Sequence, residues 1–156
     1  MIMFDAEFKQ ISTVIERLNR EANTKVCYLV DKNGQLIASA GETAGIDSTS
    51  LASLTAGNIA ATTGLAKLLG EKEFSIVFHE GQRDNIHISL VGQRVILVVV
   101  FDQRTSLGLV RLKVKKVSAE LADIFNALAA KVSAPGTTKT PFEEITDQDI
   151  DKLFSD

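Results

Sequence analysis

The stretch VCYLVDKNGQLIASAG (residues 26–41) decides the fold, because it reads as two strands joined by a tight connection. Val26, Tyr28 and Val30 fall at every second position, the spacing of a strand with β-branched and aromatic residues on one face. Asp31-Lys32-Asn33-Gly34 follows, and an Asn-Gly pair between two such runs is a strong short-range hairpin signal. The pattern predicts strands over 25–31 and 35–39, and the rest of the chain can be placed around them.

On the N-terminal side, Phe4, Phe8, Ile11, Ile15, Leu18 and Ala22 recur at spacings of three and four, predicting an amphipathic helix over 5–22. On the other side, residues 41–49 mix Gly, Thr, Asp and Ser, as a loop ending in a helix cap at Asp47 or Ser48 would. A helix is expected over 50–69, stopping at Gly70. Strand-like runs follow over 74–80, 85–91 and 94–101, separated by Gly81-Gln82-Arg83-Asp84 and Gly92-Gln93. Leu107, Val110, Val114, Val117, Leu121, Phe125, Leu128 and Val132 then mark a long closing helix. The order is α-ββ-α-βββ-α, an α+β sandwich with its five strands in one antiparallel sheet. Residues 1–132 make this domain, 133–140 (SAPGTTKT) read as a flexible linker, and 141–156 form an acidic tail.

Within that tail Thr146-Asp147-Gln148-Asp149 resembles a capping box, and Ile150, Leu153 and Phe154 follow at i, i+3 and i+4. These three are the expected anchors of a short helix that forms in a partner's groove, the alternatives being a frayed terminus with no role or a segment folded back on its own domain against Arg111, Lys113, Lys115 or Lys116. Residues 1–132 carry 15 Lys and Arg against 14 Asp and Glu, and residues 133–156 carry 2 against 6. The domain is balanced and the tail acidic, which argues against nucleic acid as a partner. The single cysteine, Cys27, excludes an intrachain disulfide and suits a reducing cytoplasm. Residues 1–20 lack the pattern of a secretory signal, and no apolar run reaches the roughly 18 residues of a membrane span.

Signatures of chemistry are missing: no P-loop, Rossmann, nucleophile-elbow or HExxH pattern occurs, so no catalytic residue, metal site or cofactor is expected. His79 and His87 lie in adjacent expected strands, where they would either face one another as a weak ligand or acid–base pair or simply occupy a partly exposed sheet face. Cys27 reads as a packed strand residue in preference to a nucleophile. Arg111, Lys113, Lys115 and Lys116 form a basic cluster on the last helix, either a solvated surface or a site for an acidic partner or an anionic surface.

The middle helix is the informative element. Leu51, Leu54, Ala61, Leu65, Leu68 and Leu69 gather on one side, expected to face the core. The opposite side holds Ser53, Ala56, Gly57, Ala60, Thr63, Gly64 and Lys67, where a solvent-facing helix would carry long charged residues. Two glycines there cost about 1 kcal/mol each relative to alanine. Such a face suits close approach by a second copy or another protein, the alternative being a helix buried on both sides within one subunit.

The hairpin 26–41, the helix TSLASLTAGNIAATTGLAKLLG (49–70) and the segment VILVVVFDQRTSLGLVRLKVKK (95–116) resemble the Roadblock/dynein light chain superfamily, over nearly the whole chain. The resemblance is to its regulators of Ras-like GTPases in bacterial cell polarity and motility. It implies a cytoplasmic homodimer, concentrated at a cell pole, in which middle helices and central strands of two subunits associate. It further implies one Ras-like small GTPase of the MglA type bound per two chains, on Ala56, Ala60, Thr63, Gly64 and Lys67. Activation would come from stabilising the GTPase's own catalytic groups, with no residue donated, and the tail would reach a second GTPase surface and assist nucleotide exchange. The order of elements also fits profilin-like, longin-like or ligand-sensing αβ domains, in which the role would be scaffolding or small-molecule binding.

Overall fold

The structure, a computed structural model, describes residues 5–133. The tail anchors Ile150, Leu153 and Phe154, and the linker before them, lie outside the described residues. Helix α1 spans Asp5–Glu21, strands β1 and β2 span Val26–Asp31 and Leu36–Gly41, helix α2 spans Ser48–Leu68, strands β3, β4 and β5 span Ile76–His79, Asn85–Val91 and Val95–Phe101, and helix α3 spans Leu107–Ser133. All five strands join one antiparallel sheet in the order β2-β1-β5-β4-β3. The expected α+β architecture is the one observed.

Alternation along the strands divides the sheet into two faces. Cys27, Leu29, Leu97, Val99 and Phe101 point to the side covered by α1 and α3, where they meet Ile11, Ile15, Leu18, Val110, Val114, Leu121 and Phe125. Val26, Tyr28, Val30, Ile96, Val98 and Val100 point the other way and meet α2 through Ala52 and Ile59. Strand β5 is central and wholly buried, which explains its unbroken apolar run VILVVVF. Helices α1 and α3 run antiparallel along each other, linked by Arg17–Glu120, Lys131–Glu7 at 3.1 Å and Lys113–Glu21 at 3.9 Å.

The hairpin closes differently from a two-residue Asn-Gly turn. The Oδ1 atom of Asp31 accepts the backbone N–H of Asn33 and of Gln35, each at 2.9 Å, and its carbonyl accepts that of Gly34 at 3.0 Å. Only Gly34 has positive φ (+90°), so the connection is a four-residue loop gathered around one carboxylate, and the β1–β2 register shifts at Leu29/Val30. Phe8, placed by its spacing in the core stripe of α1, is 45% exposed; Val14 is buried instead.

The two histidines do not face one another. His87 pairs with Phe78 and His79 with Ile86, so their side chains leave opposite faces of the sheet. His87 is fully buried beneath α3, whereas His79 is exposed beside α2, its Nε2 3.5 Å from Asn58 Nδ2. Counting apolar neighbours along each strand missed this, because the register of the hairpin decides which residues share a face.

Candidate docking face

Helix α2 begins where Asp47 caps it, its carboxylate accepting Ser50 N–H at 3.1 Å and Ser50 Oγ–H at 2.7 Å. These bonds hold the Asp47 carboxyl below its usual range, the side-chain bond from Ser50 being the main cause. Ser48 Oγ donates to Tyr28 Oη at 3.3 Å, tying the first turn to β1. The Gly34 loop rises against the same helix: a Cβ on Gly34 would stand 3.3 Å from Ser53 Cα and 3.6 Å from Ala56 Cβ.

The face of α2 turned to the sheet is neither of the two sides read from the sequence but one built mainly of other short residues. Ala52, Thr55, Ile59 and Ala66 are buried, with Ala56, Thr62 and Thr63 half-buried beside them. Thr62 and Thr63 return their hydroxyls to the carbonyls of Asn58 and Ile59 at 2.8 and 2.9 Å, so these two hydroxyls are satisfied within the helix. Four of the five leucines assigned to the core are not there: Leu54 is 74% and Leu68 83% exposed, and Leu65 and Leu69 are exposed with them; only Leu51, half-buried, packs against the core. The physical reason is distance. Alanine and threonine let the helix axis approach a sheet already filled by Tyr28, Ile96 and Val98, a space that leucines would overfill.

The outward arc of α2 therefore combines Leu54, Gly57, Ala60, Ala61, Gly64, Leu65 and Leu68, all exposed. Of the five residues singled out for partner contact, Ala60, Gly64 and Lys67 are exposed on or beside this arc, while Ala56 and Thr63 sit half-buried along its margin toward the sheet. Nothing lies within 4 Å of a Cβ built on Gly57 or on Gly64, so no packing inside the chain requires glycine at either position. Lys67 is the only charged residue in the 21-residue helix. A helix apolar all round is normally covered all round, the signal that could have flagged the leucines from sequence. Beside the arc an apolar groove of 540 Å³ runs between α2 and the β3–β4 edge, lined by Leu51, Leu54, Asn58, His79, Ile86 and Ile88 among others.

Cys27 is buried in β1, and burial pushes its thiol up to about 12, as befits a packing residue. Among the described residues, no group of three His, Cys, Asp or Glu could hold a metal, and no helix is long and apolar enough to cross a membrane.

A five-stranded antiparallel sheet covered by two helices on one side, with a single helix exposing leucines on the other, defines an αβ module of α-ββ-α-βββ-α order. The Roadblock/LC7 domain family matches residues 10–101, and the chain belongs to that family. Among solved structures it is similar to Myxococcus xanthus MglB, at 57% identity over 90% of this chain and 99% of that one, with a TM-score of 0.78. It is also similar to the gliding protein MglB of Thermus thermophilus, at 34% identity over 81% and 96% with a TM-score of 0.76. An MglB described with a tetrameric arrangement matches at 32% identity over the same shares, with a TM-score of 0.77. No curated protein sequence matches.

Proposed function

We propose that this chain is a homodimeric regulator of a Ras-like small GTPase of the MglA type, docking it on the outward face of α2. The carrying observation is the pair Gly57 and Gly64, two mid-helix glycines in open space that the fold of one chain does not need. Each costs about 1 kcal/mol of helix propensity relative to alanine. Close approach of another molecule offsets that cost, and the surrounding Leu54, Ala60, Leu65 and Leu68 supply apolar area for it. Likeness to the MglB structures supports the choice of partner.

In this reading the regulator donates no catalytic group and accelerates GTP hydrolysis by holding the GTPase's own catalytic residues in place. Arg104 is engaged by Asp102 at 2.9 Å and Glu42 at 3.1 Å, ill suited to entering a partner's active site. Replacing Arg83, Arg94 or Arg104 singly is expected to spare stimulation, without the roughly thousand-fold loss that follows removal of an arginine finger. Ala60→Arg together with Gly64→Arg should abolish stimulated hydrolysis while the circular dichroism spectrum stays that of the parent. Undiminished stimulation by that double variant refutes the site.

The tail anchors Ile150, Leu153 and Phe154 contribute a second contact with the GTPase and promote nucleotide exchange. Burial of Leu153 and Phe154 would contribute about 1.5–3 kcal/mol each, so Leu153→Ala with Phe154→Ala should weaken GTPase binding measured by calorimetry. Equal affinity for parent and variant removes the tail from the binding surface.

A further inference from the structure

Helix α3 lies over β4 and β5, and the face of edge strand β3 beside it is left uncovered. The register places Ile76 opposite Ser89 and Phe78 opposite His87, so both apolar side chains project to the α3 side of the sheet. Phe78 stacks on Phe101 with ring centroids 6.1 Å apart, but Ile76 is 50% exposed and Phe74, just before the strand, is exposed too. The flank of α3 that looks over this shelf is basic. Helix α1 occupies the other flank, through Arg17–Glu120 and Lys113–Glu21. Arg111 is near enough to the β4 side to act electrostatically on His87, and Lys115 follows one turn later. Among the described residues no carboxylate pairs with Arg111, Lys115 or Lys116, and Leu112 between them is exposed. An apolar floor under an unpaired cationic wall suits an acidic, amphipathic segment.

We propose that this shelf is the resting site of the chain's own C-terminal segment, residues 146–156. At helical spacing Ile150, Leu153 and Phe154 make one apolar edge, and Asp149 and Asp151 flank it on either side. Residues 141–156 carry six acidic residues against Lys152 alone. The apolar trio covers Ile76 and Phe78, and the flanking carboxylates meet Arg111 and Lys115.

The reach is sufficient. From Ser133 at the end of α3 back to Arg111 is 22 residues of helix, about 33 Å at the usual rise. Residues 134–146 can span up to about 43–47 Å when extended. Docking of β3 edge to edge with a second copy would leave the shelf open, since strand pairing uses the backbone in the plane of the sheet. The shelf and the α2 arc lie on opposite faces, so the tail at rest leaves the α2 arc uncovered, and the tail must leave the shelf to bind elsewhere.

The test uses the full chain with labelled isoleucine methyl groups and contains no GTPase, so its result is independent of the regulatory reading. Leu153→Ser with Phe154→Ser should move the Ile76 methyl resonance and leave Ile96, buried on the α2 side, in place. Raising salt to about 0.5 M, where charge interactions decay within a few ångströms, should move Ile76 of the parent the same way. Arg111→Glu with Lys115→Glu should reproduce the shift, and adding Asp149→Lys with Asp151→Lys to that variant should reverse it. An Ile76 resonance indifferent to the Leu153/Phe154 change overturns the proposal. So does its recovery when unlabelled parent is mixed with the labelled variant, since the tail would then come from another molecule.

Discussion

His87 is the residue whose environment is least comfortable. It is fully buried, neither ring nitrogen has a hydrogen-bond partner among the described residues, and Ser89 Oγ on the same face has none among them either. Burial pushes the imidazole below its ordinary value of 6.5, and the positive charge of Arg111 adds to that shift. A depressed folded pKa means that the unfolded chain binds a proton first as the solution is acidified. The stability tied to neutral His87 is therefore fully present above about pH 6.5 and is lost as pH falls through the lower folded value. In urea titrations from pH 7.5 to 5, His87→Leu should lose stability less steeply than the parent. At pH 7.5 it should be nearly as stable or more so, because an unpaired polar group is replaced by an apolar one. Matching slopes for the two proteins would show that His87 is not the titrating group.

Gly41 permits a sharper expectation. It has φ of +97°, and a Cβ there would lie 2.5 Å from the carbonyl oxygen of Lys25 and within 3 Å of the Asn19 side chain. Both strain and clash oppose any substitution, so Gly41→Ala should destabilise by about 1–3 kcal/mol, read as a lower denaturation midpoint.

Among the elements, α2 separates stability from docking. Gly57→Ala and Gly64→Ala have room for the added methyl, and each should raise helix stability by up to about 1 kcal/mol. If another molecule closes on this face, the same changes should slow GTPase stimulation even as the fold gains stability. A gain in both quantities would mean that the glycines are not at the contact. Helix α2 also shows where a sequence stops being legible. Its limits and its cap follow from Asp47, Ser48 and Gly70, and the strands follow from alternation, because those signals are local. Which side of the helix faces inward does not follow. Both arcs are apolar, and the choice depended on how much space Tyr28 and its sheet neighbours leave, a property of the packed interior alone. The opposed faces of His79 and His87 were hidden for a related reason, since hairpin register is fixed by pairing. Ala60, Gly64 and Lys67 nevertheless lie at the surface as expected, because small residues beside the single charge of an otherwise uncharged helix are conspicuous wherever they point.

In the whole molecule, two features ask for a second copy: the exposed leucines of α2 and the open backbone edge of β3. The expected homodimer would cover Leu54, Leu65 and Leu68 at least in part and close the edge that β3, expected from its sequence over 74–80, presents over Ile76–His79. Sedimentation at about tens of micromolar should show a dimer, a concentration suited to a stable contact. Leu65→Ser with Leu68→Ser should shift it toward monomer without unfolding, since neither side chain is part of the core. A parent that sediments as a monomer ends the dimeric reading.

The central position of β5 has a bearing on how the protein is made. Val26 on β1 pairs with Val100, so the hairpin of residues 26–41 waits for the last strand before its inner edge is covered. At roughly 5–20 residues per second, a ribosome needs about 4–14 s to pass from the end of β1 to the end of β5. Throughout that interval β1 carries apolar side chains on both faces and an unpaired backbone edge, a template for joining other nascent chains. A chain released before Val95 would keep that edge permanently, so truncated translation products of this protein should collect in the insoluble fraction while full-length chains remain in solution.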